Sequence, residues 1–318
     1  MPAKLTGRVF HGKLLLMGEH SVIYGSKALV IPYPPVSAWL VVMGRHDDIS
    51  ASRRSNIVLG KFAKYLRDNP GHNPEMPLID AGRFIRDVDR GLYLRSGIPE
   101  NYGIGSSGAV CAAIYDEYGR GPESGIGLTD QPGIQMTRAH LAAMESYFHG
   151  QSSGVDPSCI YFNKPLIVEG RNSLTVCHPE QLKKQEIRSF LLDTGISGNT
   201  GEQVRSFRKS LTGHGLDKNF TEQYIPLVNQ IVDQLTGGIP AYDSLLKLSG
   251  FQQELFRDMI PEAFHSVWQF GLDTGSYACK LCGSGGGGYI LGFTADFERA
   301  GRILAERYSL SPIRIDVF

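Results

Sequence analysis

The stretch Asn101-Tyr102-Gly103-Ile104-Gly105-Ser106-Ser107-Gly108-Ala109 decides how this chain is read. It is introduced by Pro99 and runs straight into Val110-Cys111-Ala112-Ala113-Ile114-Tyr115, a segment of helical character. Small residues entering a helix leave several backbone N–H groups unpaired and unshielded at the positive end of the helix dipole, which makes a seat for phosphate. Ser106 and Ser107 add hydroxyls where a helix start takes a cap and where a nucleotide-bound magnesium ion takes oxygen ligands. By itself such a stretch makes an ordinary turn and cap about as often as a binding loop. The rest of the chain has to decide.

Bulk properties narrow the choice. The 318 residues are enough for two domains, and 42% hydrophobic residues can fill their cores. Lys plus Arg and Asp plus Glu number 32 each, so no net field draws the protein to nucleic acid or to an anionic membrane. The apolar run Leu14-Leu15-Leu16-Met17 is closed by Glu19 and His20, too short for a membrane span or a signal core. Five cysteines, an odd number, argue for a reducing compartment, and the chain is read as cytoplasmic. Cys279 and Cys282 form a single C-x-x-C whose thiols would face opposite sides of a strand, so zinc is not expected.

Upstream of the glycine stretch, Lys13 opens an apolar strand that turns at Gly18, and Glu19-His20-Ser21 concentrates polar groups at its end. A lysine in that place is commonly a snorkelling surface residue. Residues 28–33 and 37–43 read as two strands separated by prolines, and residues 57–66 have helical spacing at Ile57, Phe62 and Leu66. No chemistry is assigned to residues 44–98.

Downstream, a helix opened by Asp130 and Pro132 should bury Met136, His140, Ala143, Met144 and Tyr147 and stop at Gly150. Glu145 lies in its last turns, where a carboxylate works against the dipole by a few tenths of a kcal/mol up to about 1. It is either simply exposed or a metal ligand placed at a cost. Asp156 reads as part of a tight turn before an apolar strand over 159–162, with a hairpin at Asn163-Lys164. After a polar boundary at 181–186 come a strand, helices, two strands around Gly283-Ser284-Gly285-Gly286-Gly287-Gly288, a helix over 297–308 and a last strand over 313–318. That order suggests an α+β sandwich with antiparallel pairing. Four consecutive glycines between tight strands point to close backbone approach rather than to a linker.

Three segments together resemble the signature motifs of the GHMP small-molecule kinases. They are Gly12 to Gly25 with its Gly18-Glu19-His20, Pro99-x-x-x-Gly103-Ile104-Gly105-Ser106-Ser107, and Lys280-Leu281-Cys282-Gly283-Ser284 with the glycines that follow. The first, and the spacing from Glu145 to Asp156, are most similar to the branch of that family that phosphorylates mevalonate. The resemblance implies an α+β, two-domain GHMP kinase fold. Residues 1–183 would form an N-terminal ribosomal protein S5 domain 2-like domain, and 184–318 a C-terminal ferredoxin-like α/β sandwich.

It also implies ATP and Mg2+ as cofactors. Gly103, Ile104, Gly105, Ser106, Ser107 and Gly108 would wrap the phosphates, and Ser107 and Glu145 would hold the metal. Asp156 would face the substrate hydroxyl, with Lys13 bridging it to the phosphates. Glu19, His20, Thr200, Gly283 and Ser284 would lie on the substrate side. The expected partner is a small-molecule alcohol, mevalonate first, with no nucleic acid, no membrane, and a homodimer as the candidate assembly. The family often carries an arginine two residues before that threonine, whereas this chain has Gly198. The identity of the substrate is therefore open to a sugar, a sugar acid or phosphomevalonate. A nucleotide-binding regulator is disfavoured because Lys13, Glu145 and Asp156 are all retained, and a decarboxylase relative because Gly18-Glu19-His20 is intact.

Overall fold

A computed structural model describes residues 7–44, 47–70, 78–120, 130–169, 173–182, 185–198, 207 and 216–317. The first half carries strands β1 (Phe10–Met17), β2 (Ala28–Val42), β3 (Leu92–Ser96), β4 (Leu166–Val168) and β5 (Leu174–Val176). Its helices are α1 (Ile49–Asp68), α2 (Ala81–Asp89), α3 (Ser106–Tyr118), α4 (Gln131–His149), α5 (Val155–Phe162) and a short α6 (Pro179–Leu182). β2 is the spine of an antiparallel sheet. It pairs β1 along one side, β4 through Ala28 to Val30 and β3 through Ala38 to Val42.

The two strands expected over 28–33 and 37–43 are thus one. Pro34 and Pro35 fall where the register to β1 skips from Tyr33 to Ser37, and between the stretches that pair β4 and β3. No ladder N–H is lost at a bulge, so the prolines are tolerated.

In the second half β6 (Arg188–Asp193) is followed by α7 (Leu216–Asn219), which passes through a π-helical turn at Phe220–Tyr224 into α8 (Ile225–Gly237). Then come α9 (Tyr242–Leu255), α10 (His265–Thr274), β7 (Ala278–Leu281), β8 (Tyr289–Thr294), α11 (Phe297–Tyr308) and β9 (Ile313–Ile315). The sheet order is β7-β8-β6-β9, antiparallel throughout, which is the split βαβ arrangement of a ferredoxin-like sandwich. The glycine loop joins β7 to β8, as its spacing predicted. The boundary at 183/184 lies outside the described residues, and buried side chains from Phe10 to Ile315 form one continuous core. No helix among the described residues is long and apolar enough to cross a membrane.

On two helices one residue of the expected buried face is turned away from the core, while Phe62, Leu66, His140 and Met144 are buried as expected. Ile57 and Met136 are 57% and 44% exposed. α1 buries Leu59, Phe62, Ala63 and Leu66, while α4 buries Ile134, Thr137, His140, Leu141, Met144 and Glu145. A residue two positions away from a buried one sits roughly 200° around the helix, so each outlier is turned to the far side.

Residues 159–162, expected as a strand, belong to α5, and Asn163, expected in a hairpin, is its left-handed C-cap. A short apolar run does not distinguish a buried strand from a buried helix by periodicity. Pro157 in the first helical turn costs nothing, because the N–H it lacks there has no intrahelical partner.

Candidate active site

β1 is buried on both faces, and its alternation sorts its side chains. Leu14 and Leu16 enter the main core, while Leu15 joins a second cluster with Val155 and Cys159 of α5. Lys13, two residues before Leu15, shares that second face. Its Nζ therefore meets Asp156, in the first turn of α5, at 2.6 Å. The lysine is buried rather than snorkelling. Burial alone would lower its pKa, but the adjacent Asp156 charge reverses that and holds it above the ordinary lysine value.

The glycine stretch turns into α3 at Gly105, whose φ is +92°. No side chain caps α3. The Ser107 hydroxyl, expected as a cap or a ligand, is not the cap: it donates to Glu145 Oε1 at 2.9 Å, and His149 Nε2 lies 2.9 Å from the same Oγ. Glu145 is buried, which excludes the exposed reading. Its Oε2 accepts from Ser152 Oγ at 2.6 Å. Burial, then the nearby Asp156 charge, push the carboxyl up to about 7, against the two hydroxyl donors and Lys13.

The second half closes the site. Gly103 has φ +76°, and a Cβ there would stand 2.2 Å from Cys282 O, so the two glycine loops meet backbone to backbone. His20 Nε2 lies 3.2 Å from Ser284 O, its ring stacks on Phe207 at 4.5 Å, and burial lowers its pKa to about 4. Glu19 and Lys280, each 2% exposed, form an ion pair that joins the halves. Lys280 also donates to Leu15 O at 3.2 Å and Leu281 O at 2.8 Å. Burial raises the Glu19 carboxyl despite that partner.

These groups line one cleft of about 560 Å³. Lys13, Asp156, Glu145 and Ser106 to Ser107 are on one side, with Gly103 and Gly105; Glu19, His20, Gly283 and Ser284 are on the other. Two residues assigned to the phosphate loop lie behind it. Ile104 is fully buried and offers its carbonyl to the Lys13 N–H at 3.0 Å. Gly108 lets α3 close on α5, where a Cβ would stand 3.2 Å from Pro157 Cα. Thr200 lies outside the described residues.

Sequence reasoning missed Lys280, His149, Ser152 and Phe207. Lys280 alone carried a signal, since a lysine inside a strand otherwise reading as apolar has to be paired.

Among the described residues no cluster of three or more His, Cys, Asp or Glu side chains could hold a metal ion. The Ser107 hydroxyl and Glu145 carboxylate, 2.9 Å apart, are nevertheless hard oxygen donors of the kind Mg2+ takes. That ion usually completes its shell with water and substrate phosphates, so a two-donor site fits it.

The arrangement of sheets, loops and cleft defines a class. The chain has the two-domain fold of the GHMP small-molecule kinases. Within that class it is similar to the mevalonate kinase of Archaeoglobus fulgidus, 24% identical over 309 residues that cover 93% of this chain and 94% of the relative. Among solved structures, L. major mevalonate kinase in complex with R-mevalonate superposes with a TM-score of 0.62 at 18% identity, covering 99% of this chain and 98% of that one. Streptococcus pneumoniae phosphomevalonate kinase in complex with phosphomevalonate and AMPPNP gives 0.60 at 16% identity, with 97% and 99% covered. Lactococcus lactis galactokinase complexed with galactose gives 0.55 at 12%, with 98% and 93% covered. No protein-family model matches the chain.

Proposed function

We propose that this protein transfers the terminal phosphoryl group of ATP to a primary hydroxyl, that of mevalonate, in a cleft between domains formed by residues 1–183 and 184–318. The observation that carries the reading is the meeting of the Ser107–Glu145 and Lys13–Asp156 pairs in one cleft. Phosphoryl transfer asks little covalent chemistry of a protein and much placement of charge.

In this reading the backbone N–H groups at Gly103, Gly105, Ser106 and Ser107 bind the phosphates at the start of α3. Ser107 and Glu145 hold a divalent cation, which when bound neutralises phosphate charge. Lys13 reaches from Asp156 towards the transferred group. Asp156 orients the alcohol and accepts its proton as the oxygen attacks phosphorus and the bond to the leaving diphosphate breaks. Glu19, His20, Gly283 and Ser284 shape the acceptor side, and Thr200 supplies a hydroxyl there. Mevalonate as acceptor is supported by the similarity to the Archaeoglobus fulgidus enzyme over nearly the whole chain.

A second reading, a neutral sugar as acceptor, is favoured by two observations. Gly198, with a Cβ position only 3.0 Å from Gly285 O and 3.3 Å from Asn101 O, offers no guanidinium to grip a carboxylate. Among the described residues lining the cleft, Lys13 is the one lysine or arginine, and Asp156 already neutralises it. An ADP-release assay across mevalonate, phosphomevalonate and galactose separates the readings. Turnover on mevalonate alone is expected; turnover on galactose alone would replace mevalonate by a sugar, and none on any alcohol would remove the kinase reading.

A further inference from the structure

Glu145 is held from two sides by hydroxyls that differ in kind. Ser107 Oγ donates to Oε1, on the side where the reading above places a divalent cation, so a cation entering between them competes with that hydrogen bond. Ser152 Oγ donates to Oε2, away from that competition. Among the described residues Ser152 Oγ donates to no other acceptor. Its oxygen already accepts the Gly154 N–H at 2.9 Å, which leaves the hydroxyl hydrogen to Glu145.

The turn that carries Ser152 is fastened to α4, the helix that carries Glu145. Ser152 N–H donates to Ser146 Oγ at 3.2 Å, and Ser146 Oγ donates to Ala142 O at 2.8 Å. Arg138 Nε donates to Ser153 O at 2.9 Å. Gly154, at φ +71°, packs so closely that a Cβ would stand 2.5 Å from Arg138 O. The hydroxyl and the carboxylate are therefore referred to the same rigid element, seven residues apart.

We propose that Ser152 is a positioning residue for the cation site: it fixes the plane of the Glu145 carboxylate so that Oε1 faces Ser107 whether or not the Ser107 hydrogen bond is made. The proposal rests on the reading that Ser107 and Glu145 take a divalent cation. Groups that orient a metal-binding carboxylate in this way typically set affinity by about tenfold to 100-fold.

The test is binding of Mn2+ in the presence of ADP to the full chain, followed by the loss of the free-ion paramagnetic resonance signal. Ser152→Ala is expected to weaken Mn2+·ADP binding by about tenfold or more, while binding of ADP in EDTA stays within about twofold, and Ser152→Thr, which keeps the hydroxyl, restores the native affinity. Glu145→Gln is the control for the underlying reading. If it weakens Mn2+·ADP binding and Ser152→Ala does not, the role given to Ser152 is wrong. If neither does, the cation is not held at Glu145, and both the reading and the proposal fall. A folded Ser152→Thr variant that binds as weakly as Ser152→Ala also overturns the proposal.

Discussion

Lys13 Nζ lies 2.6 Å from Asp156 Oδ2, a buried ammonium against a carboxylate side chain 32% exposed to the cleft. The lysine is held in place by a strand and the aspartate by the first turn of a helix, and the half-buried carboxylate lines the cleft. Asp156→Asn keeps the shape and removes the proton acceptor. Turnover is expected to fall by about 10²-fold or more with an unchanged circular dichroism spectrum. A variant with native turnover would remove Asp156 from the mechanism.

The Glu19–Lys280 pair gives a stability prediction. Both side chains are buried, and Lys280 reaches from β7 to the end of β1. Lys280→Met leaves the Glu19 charge without its partner, which in buried pairs costs about 3–5 kcal/mol. The double variant Lys280→Met, Glu19→Gln should recover much of that loss in chemical denaturation. Equal destabilisation of single and double variants would show that packing, and not the unpaired charge, sets the cost.

The raised Glu145 carboxyl sets a pH dependence for the metal-free protein. Its folded pKa of about 7 lies above the ordinary value of 4.5, so between those values the folded state holds a proton that the unfolded state has released. Stability from this group is full below pH 4.5 and is lost as pH rises towards 7, by at most about 1.4 kcal/mol per pH unit. His20, lowered to about 4, acts with the opposite sign in the same window. The measurement is therefore a difference: relative to Glu145→Gln, the native protein should lose stability from pH 5 to pH 7. A flat difference would mean that the carboxyl titrates normally.

Contact between the two glycine loops predicts a local effect of Gly103→Ala. The left-handed backbone costs an L-residue about 1–2 kcal/mol, and the new Cβ would strike Cys282 O. The loops have to part, so nucleotide affinity should drop while the cores of the two sheets keep their amide exchange protection. Native affinity in this variant would show that the loop contact is dispensable for phosphate binding.

Much of the site was legible because its chemistry is local. Gly103 to Ser107 announce a helix start with free N–H groups, and the glycines from 285 to 288 announce backbone approach, whatever surrounds them. Phe297–Tyr308 appeared as a helix from its own spacing. α5 was misread because Cys159 to Phe162 is equally apolar as strand or helix, and only packing against α3 and β1 decides between them. Glu145 could not be placed as buried from α4 alone, since its partners Ser107 and Ser152 lie 38 residues before it and 7 after.

By itself, then, the sequence determined the two glycine loops, the order of elements in the second half, and many of the side chains that line the cleft, because dihedral preference and short-range periodicity act within a few residues. Tertiary structure alone decided that Lys13 is buried against Asp156, that Lys280 crosses to Glu19, and that Ser152 holds Glu145. Burial and pairing of charge depend on which distant segments exclude water together, and no local pattern carries that information.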